Sequence, residues 1–235
     1  MNKTLVMVLL CATLGGVARA APAPIEDSLA QRLAACTVCH GQAGRAAPDG
    51  YHPRLAGKPA GYLLNQLHHF RDGRRRYGPM VALVDPLPDA YLREIAAHFA
   101  ALDLPHAAPP PPQVPAAVLA RGRTLALQGD AARGLPACSA CHGQALTGRL
   151  PATPGLLGLP RDYLVGQLGA WVSGQRRTHA PDCMADLARR MAGADLVAVT
   201  AWLASQPVPA GGQPAAAPAP GETLPLRCGS AVRPP

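Results

Sequence analysis

The sequence predicts an all-α fold of two tandem domains, each wrapped around one covalently held group. Three features of the 235 residues carry that prediction. A five-residue pattern occurs twice, as Cys36-Thr37-Val38-Cys39-His40 and Cys138-Ser139-Ala140-Cys141-His142. Residues 53–76 repeat at 154–177 with a constant offset of 101, matching Pro53, Leu55, Gly57, Pro59, Tyr62, Leu63, Gln66, Leu67, Gly73, Arg75 and Arg76. Apolar residues recur at helical spacing, and no alternating strand pattern is present.

The C-x-x-C-H pattern is a c-type haem attachment signature. Two thiols three positions apart add across the porphyrin vinyl groups, which leaves the adjacent imidazole beneath the iron. A redox dithiol would need a βαβ setting, and a zinc site would not need Cys-His twice. The sequence therefore predicts two covalently bound haem c groups, attached at Cys36 and Cys39 and at Cys138 and Cys141, with His40 and His142 as axial ligands. Aromatic content is only 4%, and Pro plus Gly number 51, so side chains alone make a thin core. A haem fills such an interior.

The elements follow in order. Residues 1–20 read as a secretory signal, with Lys3, an apolar run from Leu5 to Leu14, and cleavage after Ala20 in Ala18-Arg19-Ala20. The run is shorter than the ~20 residues a spanning helix needs, so no transmembrane segment remains after cleavage. The first domain is placed at 21–105. Glu26 to Ala35 is helical and leads to the first motif, Gly41 breaks it, and Gln42 to Gly57 is an irregular loop. Pro59 to Arg71 is a helix with Leu63, Leu64, Leu67 and Phe70 on one face. A basic loop reaches Met80, and Asp89 to Leu102 is a helix with an apolar stripe. Residues 106–115, with four consecutive prolines, form a stiff linker.

The second domain is placed at 116–206, with helices over Pro115 to Gln128, Arg161 to Val172 and Ala194 to Ser205. Residues 207–235 are a Pro/Ala-rich tail without regular structure, except where Cys228 holds it.

The sixth iron position follows from counting in the repeat. Twelve residues before Leu92 stands Met80, and twelve before the matching Leu196 stands Met184. Thioether is an ordinary haem ligand that raises the potential. Rivals are His52, His68 and His69 at the first haem, whose repeat positions hold Thr153, Gly169 and Ala170, and Cys183 and Met191 at the second. His68 and His69 are expected on a helix surface. Pro53 and Pro154 are candidates for offering a carbonyl to the imidazole Nδ1. Cys183 and Cys228, left over once the signal and the motifs have taken the other five cysteines, are a candidate disulfide in an oxidising compartment.

The formal charge of +8 falls to +6 without Lys3 and Arg19, and four haem propionates bring it to about +2. Nucleic acid is a poor reading for such a chain.

The motifs, Pro53-Arg54-Leu55-Ala56-Gly57 leading into Tyr62-Leu63-Leu64-Asn65-Gln66-Leu67, Phe70-Arg71-Asp72-Gly73, and a late Met before an apolar helix resemble the dihaem class I cytochromes c, of the cytochrome c4 type. That resemblance implies two small class I cytochrome c domains about a pseudo-twofold axis, two His/Met haems, and one-electron transfer in the periplasm with periplasmic or membrane-bound redox proteins as partners. A catalytic role is not expected. The alternatives are a cytochrome subunit of a periplasmic dehydrogenase or oxidase complex, and a dihaem enzyme such as a thiosulfate dehydrogenase or peroxidase.

Overall fold

The computed structural model describes residues 26–231; the signal segment and its cleavage site lie outside them. Helix α1 (Leu29–His40) opens on Ser28, whose hydroxyl accepts from the Gln31 amide at 3.4 Å. It runs through the first motif to His40 rather than stopping at Ala35, because nothing before Gly41 interrupts the helical turn; Gly41, at φ 74, ends it. Its Cβ would lie 2.3 Å from the Ala46 carbonyl oxygen, so only glycine fits.

Helices α2 (Ala60–Arg71), α3 (Gly78–Val84) and α4 (Asp89–Ala100) follow. Met80 is thus on a short helix and not in a loop. Pro79 sits in its first turn, where a missing N–H costs nothing. Leu63, Leu64, Phe70, Val84, Leu92, Ile95 and Phe99 form the buried core of this half.

After the linker come α5 (Ala116–Leu127), α6 (Cys138–His142), the two-residue antiparallel strands β1 (Gly148–Arg149) and β2 (Thr153–Pro154), α7 (Arg161–Val172), α8 (Cys183–Arg190) and α9 (Gly193–Ala204). The small hairpin had no signature in a Gly- and Pro-rich stretch. Met184 lies on α8, whose start is fixed by Asp182 accepting from the Ala185 amide at 3.1 Å. Met191 caps the end of α8. The second core gathers Leu125, Leu135, Leu146, Leu159, Leu164, Leu187, Val199 and Leu203. Helices α5 and α9 cross closely enough that a Cβ on Gly122 would meet the Ala198 carbonyl oxygen at 2.1 Å.

The two halves meet along the repeated Arg stretches. Arg75 and Arg176 pair as an antiparallel bridge. The Arg76 amide donates to the Gln175 carbonyl at 3.2 Å, and the Arg177 amide donates to the Arg74 carbonyl at 2.6 Å. His69, expected on a surface, is fully buried at this junction, its ring 5.0 Å from that of His179. Burial and the neighbouring His179 and Arg side chains bring its pKa down to about 3, so it is neutral. Among the described residues no helix is long and apolar enough to cross a membrane.

Candidate cofactor sites

Each motif helix delivers its cysteines and histidine to the wall of a cavity. The first, of about 280 Å³, is bordered by Cys36, Cys39, His40, Pro53 and Met80. The second, of about 160 Å³, is bordered by Cys138, Cys141, His142, Pro154 and Met184. The rest of each wall is largely apolar, with Leu63, Leu67, Phe70 and Phe99 in the first and Leu164, Leu168, Trp171 and Leu187 in the second.

The two imidazoles are held alike. His40 Nδ1 donates to the Pro53 carbonyl at 2.8 Å, and His142 Nδ1 donates to the Pro154 carbonyl at 2.7 Å. This fixes the ring and leaves Nε2 for a metal. Burial lowers the pKa of both histidines, only partly offset by those carbonyls. A neutral imidazole is the form that binds metal. Burial also raises the Cys36 thiol, and takes Cys138 up to about 11.

Of the rival ligands, His52 also borders the first cavity, but its Nδ1 lies 2.5 Å from Asp49 Oδ2. Met191 borders the second. Cys183 is joined to Cys228, with 5.1 Å between their Cα atoms, so it has no thiolate to offer iron.

Between the cavities stands a cluster that composition alone did not reveal. Lys58, Tyr62, Gln66, Tyr163, Gln167 and Arg176 border both. Arg75 donates to Gln66 at 3.2 Å, Gln167 at 2.7 Å and Tyr163 at 3.2 Å. Arg176 mirrors it, donating to Gln167 and Gln66 at 2.9 Å each and to Tyr62 at 3.5 Å. Arg176 is buried, and its Nε has no partner among the described residues. Burial pulls Lys58 down to about 8. Buried Arg176 and half-buried Lys58 have no counter-ion among the described residues. Two thiols, an imidazole, a thioether, apolar walls and waiting cations together suit a covalent haem with its propionates. The signal for Lys58 was in the repeat: its counterpart is Leu159.

No protein-family model matches the chain. It is 38% identical over 201 residues to a thiosulfate dehydrogenase electron acceptor of Thiomonas intermedia, covering 86% of this chain and 91% of that one. It is 33% identical over 207 residues to cytochrome c4 of Pseudomonas aeruginosa, covering 86% and 98%. The reduced cytochrome c4 structure from Pseudomonas stutzeri superposes with a TM-score of 0.66 at 29% identity, over 75% of this chain and 96% of that one. A thiosulfate dehydrogenase structure from Marichromatium purpuratum gives 0.66 at 34% identity, over 73% of this chain but 36% of that longer one. With this similarity along nearly the full length of the relatives, the chain belongs to the cytochrome c4 family, electron-transfer proteins of two tandem class I cytochrome c domains with two covalently bound haem c groups.

Proposed function

We propose that this chain is the periplasmic electron acceptor of a thiosulfate dehydrogenase. The observation that carries the reading is its 38% identity to a protein of that name, above the 33% shared with a cytochrome c4. The dehydrogenase activity itself is not carried over, since the chain spans about a third of the matched dehydrogenase structure. On this reading residues 1–20 are the export signal, cut after Ala20, and the domains are 21–105 and 116–206, joined by 106–115.

The haems supply one-electron chemistry, ferric to ferrous. The chain supplies the rest. Cys36, Cys39, Cys138 and Cys141 would tether the haems, and His40 with Met80, and His142 with Met184, would hold the irons. The Pro53 and Pro154 carbonyls orient the imidazoles. Apolar walls exclude water, which favours the less charged ferrous state. Lys58 and Arg176, bordering both cavities, are placed to neutralise propionates.

The test mixes oxidised protein with thiosulfate, with and without a thiosulfate dehydrogenase, and follows the haem absorption. Reduction in the presence of the enzyme, and not with thiosulfate alone, is expected. Reduction by thiosulfate alone would make the chain an enzyme, and no reduction with either would remove this partner.

A further inference from the structure

Matching elements build the two cavities, but their walls differ in one respect. Among the described residues, every one bordering the first lies between positions 35 and 176. The second is also bordered by Leu224, Leu226, Cys228, Ser230 and Ala231 of the C-terminal segment. Leu226 packs on the second core, and its backbone amide lies against the Cys141 sulfur. Exposure follows suit. In the first motif Cys39 is exposed and Val38 is 83% exposed. Their counterparts Cys141 and Ala140 are half-buried.

The segment is fastened along its length. Near its start Ala215 exchanges backbone hydrogen bonds with Gly148 and Leu150, both at 2.9 Å, and the Gln213 carbonyl accepts from Thr147 at 3.0 Å. Glu222 pairs with Arg149 at 2.6 Å. Toward its end Cys228 is bonded to Cys183, the first residue of α8, immediately before Met184. Ser230 then accepts from both domains: its carbonyl from Asn65 at 3.0 Å, its hydroxyl from the His179 amide at 3.1 Å. A segment of Pro, Ala and Gly has little intrinsic order. Here a covalent bond and separate polar contacts hold it against one cofactor cavity and not the other.

We propose that residues 207–231 are a pinned cover of the second haem site, which keeps small iron ligands from displacing Met184 while the first site stays open at its Cys39 edge. The cover works by raising the cost of the local opening that ligand exchange requires. The inference rests on each cavity holding one haem with its Met bound.

The experiment uses the dihaem holoprotein in three forms: unaltered, with Cys183→Ser and Cys228→Ser together, and with those changes plus deletion of 207–235. Ferric samples are mixed with excess imidazole, and loss of the Met-to-iron charge-transfer absorption is followed. The unaltered protein should give two phases. The slower should accelerate about tenfold in the serine pair and further in the truncated chain, as expected when a local opening is made cheaper. The faster phase should not move. A slower phase that changes by less than about twofold in both variants, or two phases that accelerate together, would overturn the cover. If the truncated chain carries one haem, the full-length serine pair decides alone. A haem count other than two in the unaltered protein would undo the site reading itself.

Discussion

Arg176 of the second domain donates to Gln66 of the first at 2.9 Å, and Arg75 returns the contact to Gln167 at 2.7 Å. All four residues occupy matched positions in the repeat. The duplication has thereby produced its own interface. Once two copies face each other about a twofold axis, a single Arg–Gln pairing is made twice, and each guanidinium also lies over an aromatic ring, Phe70 or Trp171.

Arg176→Met should accordingly weaken the junction more than either domain. It removes buried donors to Gln66, Gln167 and Tyr62, a loss of about 1 to 3 kcal/mol. Thermal unfolding followed separately by haem absorption and far-UV dichroism should change from one transition to two. A single transition at the unaltered temperature would show that the pair is not structural.

Lys58 has no partner by symmetry. Burial, with the charges of Arg54, Arg176 and Arg75, pulls it down to about 8, and haem propionates, being anions, would push it back up, so it is a cation at pH 7. A cation bordering both cavities would favour the ferrous state of each iron. Lys58→Met should lower both midpoint potentials by tens of millivolts, about 59 mV per tenfold change in the one-electron equilibrium. Potentiometric titration measures this, and unchanged potentials would place the ammonium away from both haems.

Much of this was legible because covalent haem attachment demands a contiguous motif, and because duplication makes each half a check on the other. The helices over 60–71, 89–100 and 161–172 follow from apolar stripes with clear proline or glycine ends. Other features were not legible. Met80 and Met184 lie on helices of seven and eight residues, too short for a periodic apolar pattern to mark them. His69 sits on the polar side of its own helix pattern, and only the second domain buries it. The tail has the composition of disorder, and its order comes from Cys228, Glu222 and Ser230, each meeting a residue distant in sequence.

The axial assignment is tested one methionine at a time. Met80→Ala and Met184→Ala should each remove about half of the Met-to-iron charge-transfer absorption and lower the potential of one haem, since thioether ligation favours ferrous iron. If Met184→Ala keeps the full band, Met191, which borders the same cavity, is the ligand.

Acid should loosen the second domain through Asp195. Hydrogen bonds from Arg121, at 2.9 Å, and from Arg133 hold its carboxyl below the usual range, although burial opposes them. A carboxyl lowered on folding stabilises above its unfolded pKa, and that contribution is lost as pH falls through the folded value. Asp195→Asn should reduce stability at pH 7 and flatten its dependence below about pH 4, where the free carboxyl titrates. Denaturant midpoints across that range provide the check, and parallel curves for both proteins would exclude the cluster as a source of acid sensitivity.

The crossing of α5 and α9 leaves no room at Gly122. An added methyl would sit 2.1 Å from the Ala198 carbonyl oxygen and 2.8 Å from the Trp202 Cβ, both on α9. These are backbone and near-backbone atoms, which cannot swing aside, so the helices must separate. The gain in helix propensity from Gly to Ala, about 1 kcal/mol, is too small to offset overpacking against backbone atoms, which reaches about 3 kcal/mol. Because α9 carries Val199 and Leu203 to the wall of the second cavity, separation there should impair cofactor uptake. Gly122→Ala should yield protein with fewer than two haems per chain, deficient at Cys138 and Cys141, by intact mass and peptide mapping. Full loading at both motifs with unchanged thermal stability would show that the crossing can relax without cost.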